Sequence, residues 1–456
     1  MRLRAATAAA IFAGLTAFIA LSSPCSAIEI KRMKLASGAT LLVSEQHQLP
    51  MVTIAIAFDA GLRRDPVGKE GLAELTANSL AQGTKDLTVD QFNEKIDFMG
   101  SSISVEDGRD LAEAGLTSLT RYLDDTLGLL AAMLQNPGLR DADIIRKRDE
   151  QVAGIRASEE QPGYVTNVRF TKLLYGDTPY GHPGAGSAES VSKLTPDDVR
   201  NFYHQYYKLG NAIISVAGDV KADQIRAAIE KQLAGLAGSV PAQTPPPAPE
   251  VARGLHLTIV NRDVAQATLI LGFGGIARSD PDYYRCQVMN YIFGGGGFAS
   301  RLTKVVRSKG GLAYSIGSGF EAGLFPGSFI VELQTKNKSA NEAVRLVIEQ
   351  MREIREHPIS DAELESAKKF LVGSFPLKLD HQGAIASFML QVEFYGLGLD
   401  YADRYPQLIE SVSKEDVQRM ANQFLHPDAA LVVAAANQAE AAIDLAGLEP
   451  VKSGGK

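Results

Sequence analysis

The stretch FDAGLRRDP (Phe58–Pro66) returns in the second half of the chain as FGGIARSDP (Phe273–Pro281), with four of the nine positions identical. A second pair, LTPDDVRNFYHQYY (Leu194–Tyr207) and VSKEDVQRMANQFL (Val412–Leu425), has nearly the same offset, and each member runs into a short apolar segment, AIISVAG or ALVVAAA. A repeat unit of this length is too long for a solenoid, so it signifies a duplicated domain with the same elements in the same order. Between the copies lies GSVPAQTPPPAPE (Gly238–Glu250), where five prolines from Pro241 to Pro249 forbid helix and favour an extended spacer. The expected organisation is a first domain over 28–237, a linker over 238–250 and a second domain over 251–450.

Each copy begins with a pair of apolar runs, ATLLVSE and VTIAIAF in the first and LHLTIV and ATLILGF in the second. These read as antiparallel strands with one face buried. Helical spacing follows in Leu123–Gln135 and Asp141–Glu160, which Pro137 and Gly138 separate and Pro162 closes. Strands first and helices after predict an α+β fold: two duplicated domains, each an antiparallel-rich sheet with helices packed on one face.

The 456 residues are 22% charged and 45% hydrophobic, enough for two cores, and the 46 basic against 53 acidic residues give a net charge of −7 with no block of one sign. Nucleic acid is therefore not an expected partner. Residues 1–27 have the form of a signal peptide: Arg2 and Arg4, an apolar stretch from Ala5 to Leu21, and the small residues Cys25, Ser26 and Ala27 at the expected cleavage site. The expectation is export to the periplasm, with a mature chain beginning near Ile28 and no membrane attachment after cleavage. Cys286 is then the one remaining thiol, and its apolar context YYRCQVMNYIF predicts a buried, inert side chain.

Among the seven histidines, at 47, 182, 204, 256, 357, 381 and 426, no two lie within five residues of each other, so no helix can present a two-histidine zinc site. His182, in TPYGHPGAG, is the one in a clearly loop-like context. G-x-G-x-x-A occurs at Gly272–Ala277, but the residues that follow, Arg278 to Pro281, do not open a helix as a dinucleotide site requires.

Three motifs, with the duplication and the Pro-rich linker, carry a resemblance over nearly the whole mature chain. They are GLAELTANSLAQGT (Gly71–Thr84), GGGGFASRLTKVVRSKGGLAYSIGSGF (Gly294–Phe320), and LTPDDVRNFYHQYY followed by NAIISVAGDV. The chain resembles the pitrilysin/insulinase-type (M16) peptidase superfamily, in its two-domain processing-peptidase branch. The resemblance implies the LuxS/metallohydrolase-like fold and places Gly71–Thr84 where catalytic members carry an H-x-x-E-H zinc helix. There the two histidines hold the metal and the glutamate activates its water. Those three positions here are Glu74, Ala77 and Asn78, and counting on from Asn78 by the family's spacing puts Gly154 at the distal glutamate ligand. All zinc ligands and the general base are thus replaced, and this chain is expected to hold no metal.

The second-domain motif is retained. The resemblance gives Arg307, and Tyr314 seven residues later, the role of hydrogen-bonding substrate near the scissile carbonyl, where a guanidinium and a phenol suit a developing oxyanion. Gly310 and Gly311 are expected to end the helix carrying Arg307, with a strand beginning at Tyr314. Gly294, Gly295, Gly296 and Gly297 allow close backbone approach or a mobile loop, and by resemblance are candidates for substrate contact. The expected function is that of the zinc-free subunit of a heterodimeric peptidase. Its partner would bear H-x-x-E-H and the zinc, Arg307 and Tyr314 would act in trans, and peptide substrates would add partly as a strand at a sheet edge. The alternative is a homodimeric, non-catalytic binding or scaffold protein of the same descent; an autonomous peptidase with an unconventional metal site ranks last.

Overall fold

The computed structural model describes residues 28–242, 245–249 and 254–446. The proposed signal peptide, parts of the linker and the last residues of the second domain lie outside the described residues.

Among the described residues, eleven strands form two sheets. The first contains β1 (Lys31–Lys34), β2 (Thr40–Glu45), β3 (Met51–Phe58), β4 (Ser102–Asp107), β5 (Ala112–Leu119) and β6 (Ile213–Gly218), in the order β1-β2-β6-β3-β5-β4. The second contains β7 (His256–Asn261), β8 (Gln266–Gly274), β9 (Ala313–Phe320), β10 (Ser328–Lys336) and β11 (Leu431–Ala436), in the order β7-β11-β8-β10-β9. Apart from the extra β1 edge, the two orders are the same, so the duplication seen in the motifs is a duplication of topology. Each half has its own main core, one reaching from Leu35 to Leu236 and the other from Ala267 to Leu445.

The first two apolar runs of each copy do lie antiparallel, but they are not neighbours. β6, which comes last among the strands of its half, enters between β2 and β3, parallel to the first and antiparallel to the second. β11 does the same between β7 and β8. Central position explains the burial of IISVAG after its first residue and of all of LVVAAA, which do not alternate because both faces are covered.

To the helices on one face of each sheet, the structure adds a helix on the other, and it comes from the opposite half. Helix Pro162–Tyr175 packs Phe170, Leu174 and Tyr175 against Ile270, Leu431 and Val433 of the second sheet. Helix Gln382–Phe394 packs Ile385, Ala386 and Met389 against Leu42 and Ala217 of the first, and Leu390 against Ala55 and Ala57. The two helices hold equivalent places in their halves and are counterparts in the duplication. Small residues in the sheets let them approach: a Cβ on Gly272 would lie 2.7 Å from Phe170 Cζ. The glycine that opens G-x-G-x-x-A therefore makes room for a ring of the other half.

Polar contacts reinforce this exchange. Arg32 holds Glu393 with two bonds of 2.9 and 2.7 Å, Arg262 Nη2 donates to Glu159 O at 3.1 Å, and Arg109 Nη1 donates to Glu321 O at 3.2 Å. Buried Asp110 accepts from the Tyr180 hydroxyl and from Leu324 N at 3.0 Å.

Candidate functional site

Helix Leu72–Leu80 carries the stretch that the sequence resemblance sets against the zinc helix of catalytic members. Its N-terminus is fixed by the duplicated FDAGLRRDP stretch, since Asp65 accepts from Gly71 N and Ala73 N, both at 2.7 Å. Two of the otherwise unpaired N–H groups of the first turn are thereby satisfied. Gly71 has φ +94°, a conformation that disfavours any side chain, and a Cβ there would also crowd Val191 Cγ2 at 2.8 Å.

From this helix Glu74 and Asn78 face a cavity of about 390 Å³, whose opposite wall is helix Asp141–Glu159 with Gln151, Gly154, Ile155 and Ser158. Tyr164 and Ala185 close it, and Lys147 and Glu150, paired at 2.8 Å, also line it. The structure thus gathers Glu74, Asn78 and Gly154, three of the four positions that the resemblance marks as a degenerate zinc site, around one space. Ala77 points away from it into the main core of the first half.

The donor set does not fit zinc. One carboxylate, one neutral amide and a glycine offer no imidazole or thiolate, and among the described residues no three of His, Cys, Asp and Glu gather in a way that could hold a metal ion. The carboxylate that remains is perturbed: burial, then the neighbouring Asp107, pushes the pKa of Glu74 up to about 7. Asp107, at the end of the edge strand β4, is itself raised by burial.

In the second half Arg307 lies on a π-helical segment, Thr303–Lys309, and Tyr314 is the second residue of β9, which begins at Ala313. The turn between them is tight: Gly310 N donates to Val305 O, Gly311 N to Arg307 O and Leu312 N to Val306 O at 2.9 to 3.0 Å. Gly311 takes φ +62°. Arg307 is exposed and Tyr314 is 49% exposed, so both polar tips face outward. The Arg307 guanidinium lies over the Phe298 ring, 5.1 Å from its centre, and Phe298 is itself 75% exposed. Phe298 was not a sequence candidate, although a phenylalanine directly after four glycines was the available signal.

The glycine run has packing reasons of its own. Gly294 lies in a π-turn, Tyr291–Gly295, pressed against β9, where a Cβ would collide with the Ser318 hydroxyl; a Cβ on Gly295 would lie 2.5 Å from Asn290 Nδ2. A Cβ on Gly296 would meet Tyr291 O at 2.5 Å, while Gly297 takes φ +54° with open space beside it. Three of the four glycines thus serve close approach, and Gly297 and Phe298 form the exposed tip.

The remaining candidates have structural surroundings. Cys286 is buried with its Sγ 3.5 Å from Met420 Sδ, and burial raises its pKa, the opposite of what a nucleophile needs. His182 Nδ1 lies 3.0 Å from Pro183 O, and burial lowers its pKa.

Comparison with known proteins matches this geometry to one family. The model of the insulinase peptidase family M16 matches residues 41–186, and that of the peptidase M16 inactive domain matches residues 193–371. The chain is 26% identical over 381 residues to a Helicobacter pylori protein named non-peptidase homolog YmxG, covering 83% of this chain and 87% of that one. It is 24% identical over 412 residues to a probable mitochondrial-processing peptidase subunit beta of Arabidopsis thaliana, covering 88% and 77%. The crystal structure of the peptidase M16 inactive domain from Pseudomonas fluorescens superposes with a TM-score of 0.84 at 28% identity, over 90% of this chain and 98% of that one. With one family's two models matched to the two halves in order, and a solved member of it superposing over nearly the whole chain, the chain belongs to the insulinase-type M16 peptidase family.

Proposed function

We propose that this chain is the zinc-free, non-catalytic subunit of a two-subunit M16 peptidase that works after export to the periplasm. The observation that carries the reading is an asymmetry between the halves. The metal positions of the first half are Glu74, Asn78 and Gly154 around an open cavity, whereas Arg307 and Tyr314 of the second half are kept and face outward. A guanidinium and a phenol on a tight turn can donate to a developing oxyanion in a partner's site, a contribution of about 3 kcal/mol for one well-placed donor. The partner would carry H-x-x-E-H and the zinc. Peptide substrates would add as a strand to the free edge of β4, which adjoins helix Leu72–Leu80.

The test is cleavage of a quenched peptide library by the mature chain, alone and mixed with an H-x-x-E-H protein encoded beside it. Activity in the mixture alone, reduced about 100-fold by Arg307→Ala, supports the subunit reading. Activity of the chain alone would overturn it. Silence in both would favour a homodimeric, non-catalytic binding scaffold.

A further inference from the structure

We propose that the cavity left by the lost metal ligands receives a primary ammonium group, either the α-amino end of an extended peptide or a lysine side chain. This rests on the reading that the chain binds peptides, and it names the group by which they are read.

The first observation is an acceptor with nothing to accept. Gln151 is 8% exposed, and its Nε2 donates to Gly71 O at 3.1 Å and to Ala185 O at 2.9 Å. Those two bonds fix the amide and leave Oε1 buried with no partner, in a residue that lines the cavity. A buried acceptor left unsatisfied costs about 1–3 kcal/mol, which a ligand donor would recover.

The second observation is the wall facing it. Glu74 makes no hydrogen bond or ion pair among the described residues, although it is partly buried and close enough to Asp107 for their charges to repel. The one basic residue lining the cavity, Lys147, is already tied to Glu150. A cation is the missing complement. Asn78 and Tyr164 add further oxygen acceptors. An ammonium carries three donors and a single charge, so it suits carboxylate, amide and phenol oxygens that lack the imidazoles a divalent metal would require. Space is available because Gly154 has nothing within 4 Å of where its Cβ would stand. Asp107, at the end of the edge strand β4 to which a peptide would add, neighbours Glu74.

The experiment uses the mature chain and fluorescence anisotropy at pH 7 with C-terminally labelled pools of lysine-free decapeptides, free or acetylated at the N-terminus. A third pool is acetylated and contains one lysine. The expected result is that acetylation of the lysine-free pool weakens binding about tenfold or more. Recovery of binding with the lysine pool would show that a side-chain ammonium serves as well as the α-amino group, and no recovery would assign the site to the α-amino group alone. Glu74→Gln should abolish the difference between pools. Gly154→Leu, a change the open helix position tolerates, should fill the cavity and do the same. Equal binding of all three pools to the unaltered chain would overturn the ammonium site while leaving peptide binding in place. Absence of any binding would overturn both.

Discussion

Arg63 and Arg278 stand at the same place in the two copies of one nine-residue motif, and the two halves neutralise them differently. In the first copy Asp59 binds both Arg63 and Arg64, and Arg63 Nε donates to Asp110 O at 3.1 Å. Both arginines are buried. In the second copy the position of Asp59 is Gly274. Arg278 instead lies 3.9 Å from the centre of the Tyr283 ring, with Tyr284 and Tyr401 at 5.6 Å, and donates to the Tyr401 hydroxyl at 2.9 Å. A duplicated backbone therefore tolerates two settings for one arginine, an ion-pair network around a buried guanidinium and a collar of phenol rings around a partly buried one. The first is all-or-none, because losing one member strands a charge; the second is distributed.

The sharpest way to break that comparison is Asp59→Ala. It should cost about 3–5 kcal/mol, because two buried guanidinium groups lose their shared carboxylate. Arg278→Met should cost about 1–2 kcal/mol, since cation–π contacts and one hydrogen bond are lost without leaving an opposite charge behind. Urea denaturation of the two variants measures the ratio, and equal losses would show the collar to be as demanding as the network.

A second pair of changes examines the exchanged helices. Phe170→Ala should cost about 3–5 kcal/mol as a large buried ring is removed. Gly272→Ala should destabilise through the clash of its new methyl with Phe329 O and with that ring, so that only the second part is relieved when the ring is removed. In the double variant the two losses should sum to less than their separate values, as touching residues do. Additive losses would show that Phe170 is not what requires the glycine.

Smaller effects separate the cavity of the first half from the exposed tip of the second. The folded-state pKa of Glu74 is raised to about 7, above its unfolded value of about 4.3, so between those pH values the folded chain binds more protons than the unfolded one. Stability from this group therefore falls as pH rises from about 4 to 7 and stays low above. Glu74→Gln should remove that slope and stabilise the chain by about 1–3 kcal/mol at pH 8. Thermal unfolding across pH checks both sign and window. Phe298→Ser, at an exposed position, should change stability by no more than about 0.5 kcal/mol, and any larger effect should appear in partner binding.

The duplication could be read from paired motifs because it rests on local signals: a Phe-to-Pro stretch, a capped helix and an apolar strand. The strand order could not be read from neighbouring runs, because β6 and β11 reach their places from far along the chain. Their unbroken apolar character was the clue that a second face was covered. Nothing local in PGYVTNVRFTKLLY or QGAIASFMLQVEF says which sheet each helix will cover. The resemblance, not any local pattern, singled out Glu74, Asn78 and Gly154, and the structure places the three around one cavity. Gln151 escaped notice because a glutamine in a charged helix carries no signal until its two backbone partners are seen.

The exchanged helices also constrain what a single half could ever have been. Cut at the linker, either half would expose the inner face of its sheet and release an apolar helix with nowhere to dock. A one-domain ancestor would have met the same need only by trading that helix with a second copy of itself, which makes the present chain a domain-swapped dimer tied end to end. Joining two such copies would turn a concentration-dependent assembly into a unimolecular one. It would also let the halves differ, as they do where Asp59 stands in one copy and Gly274 in the other.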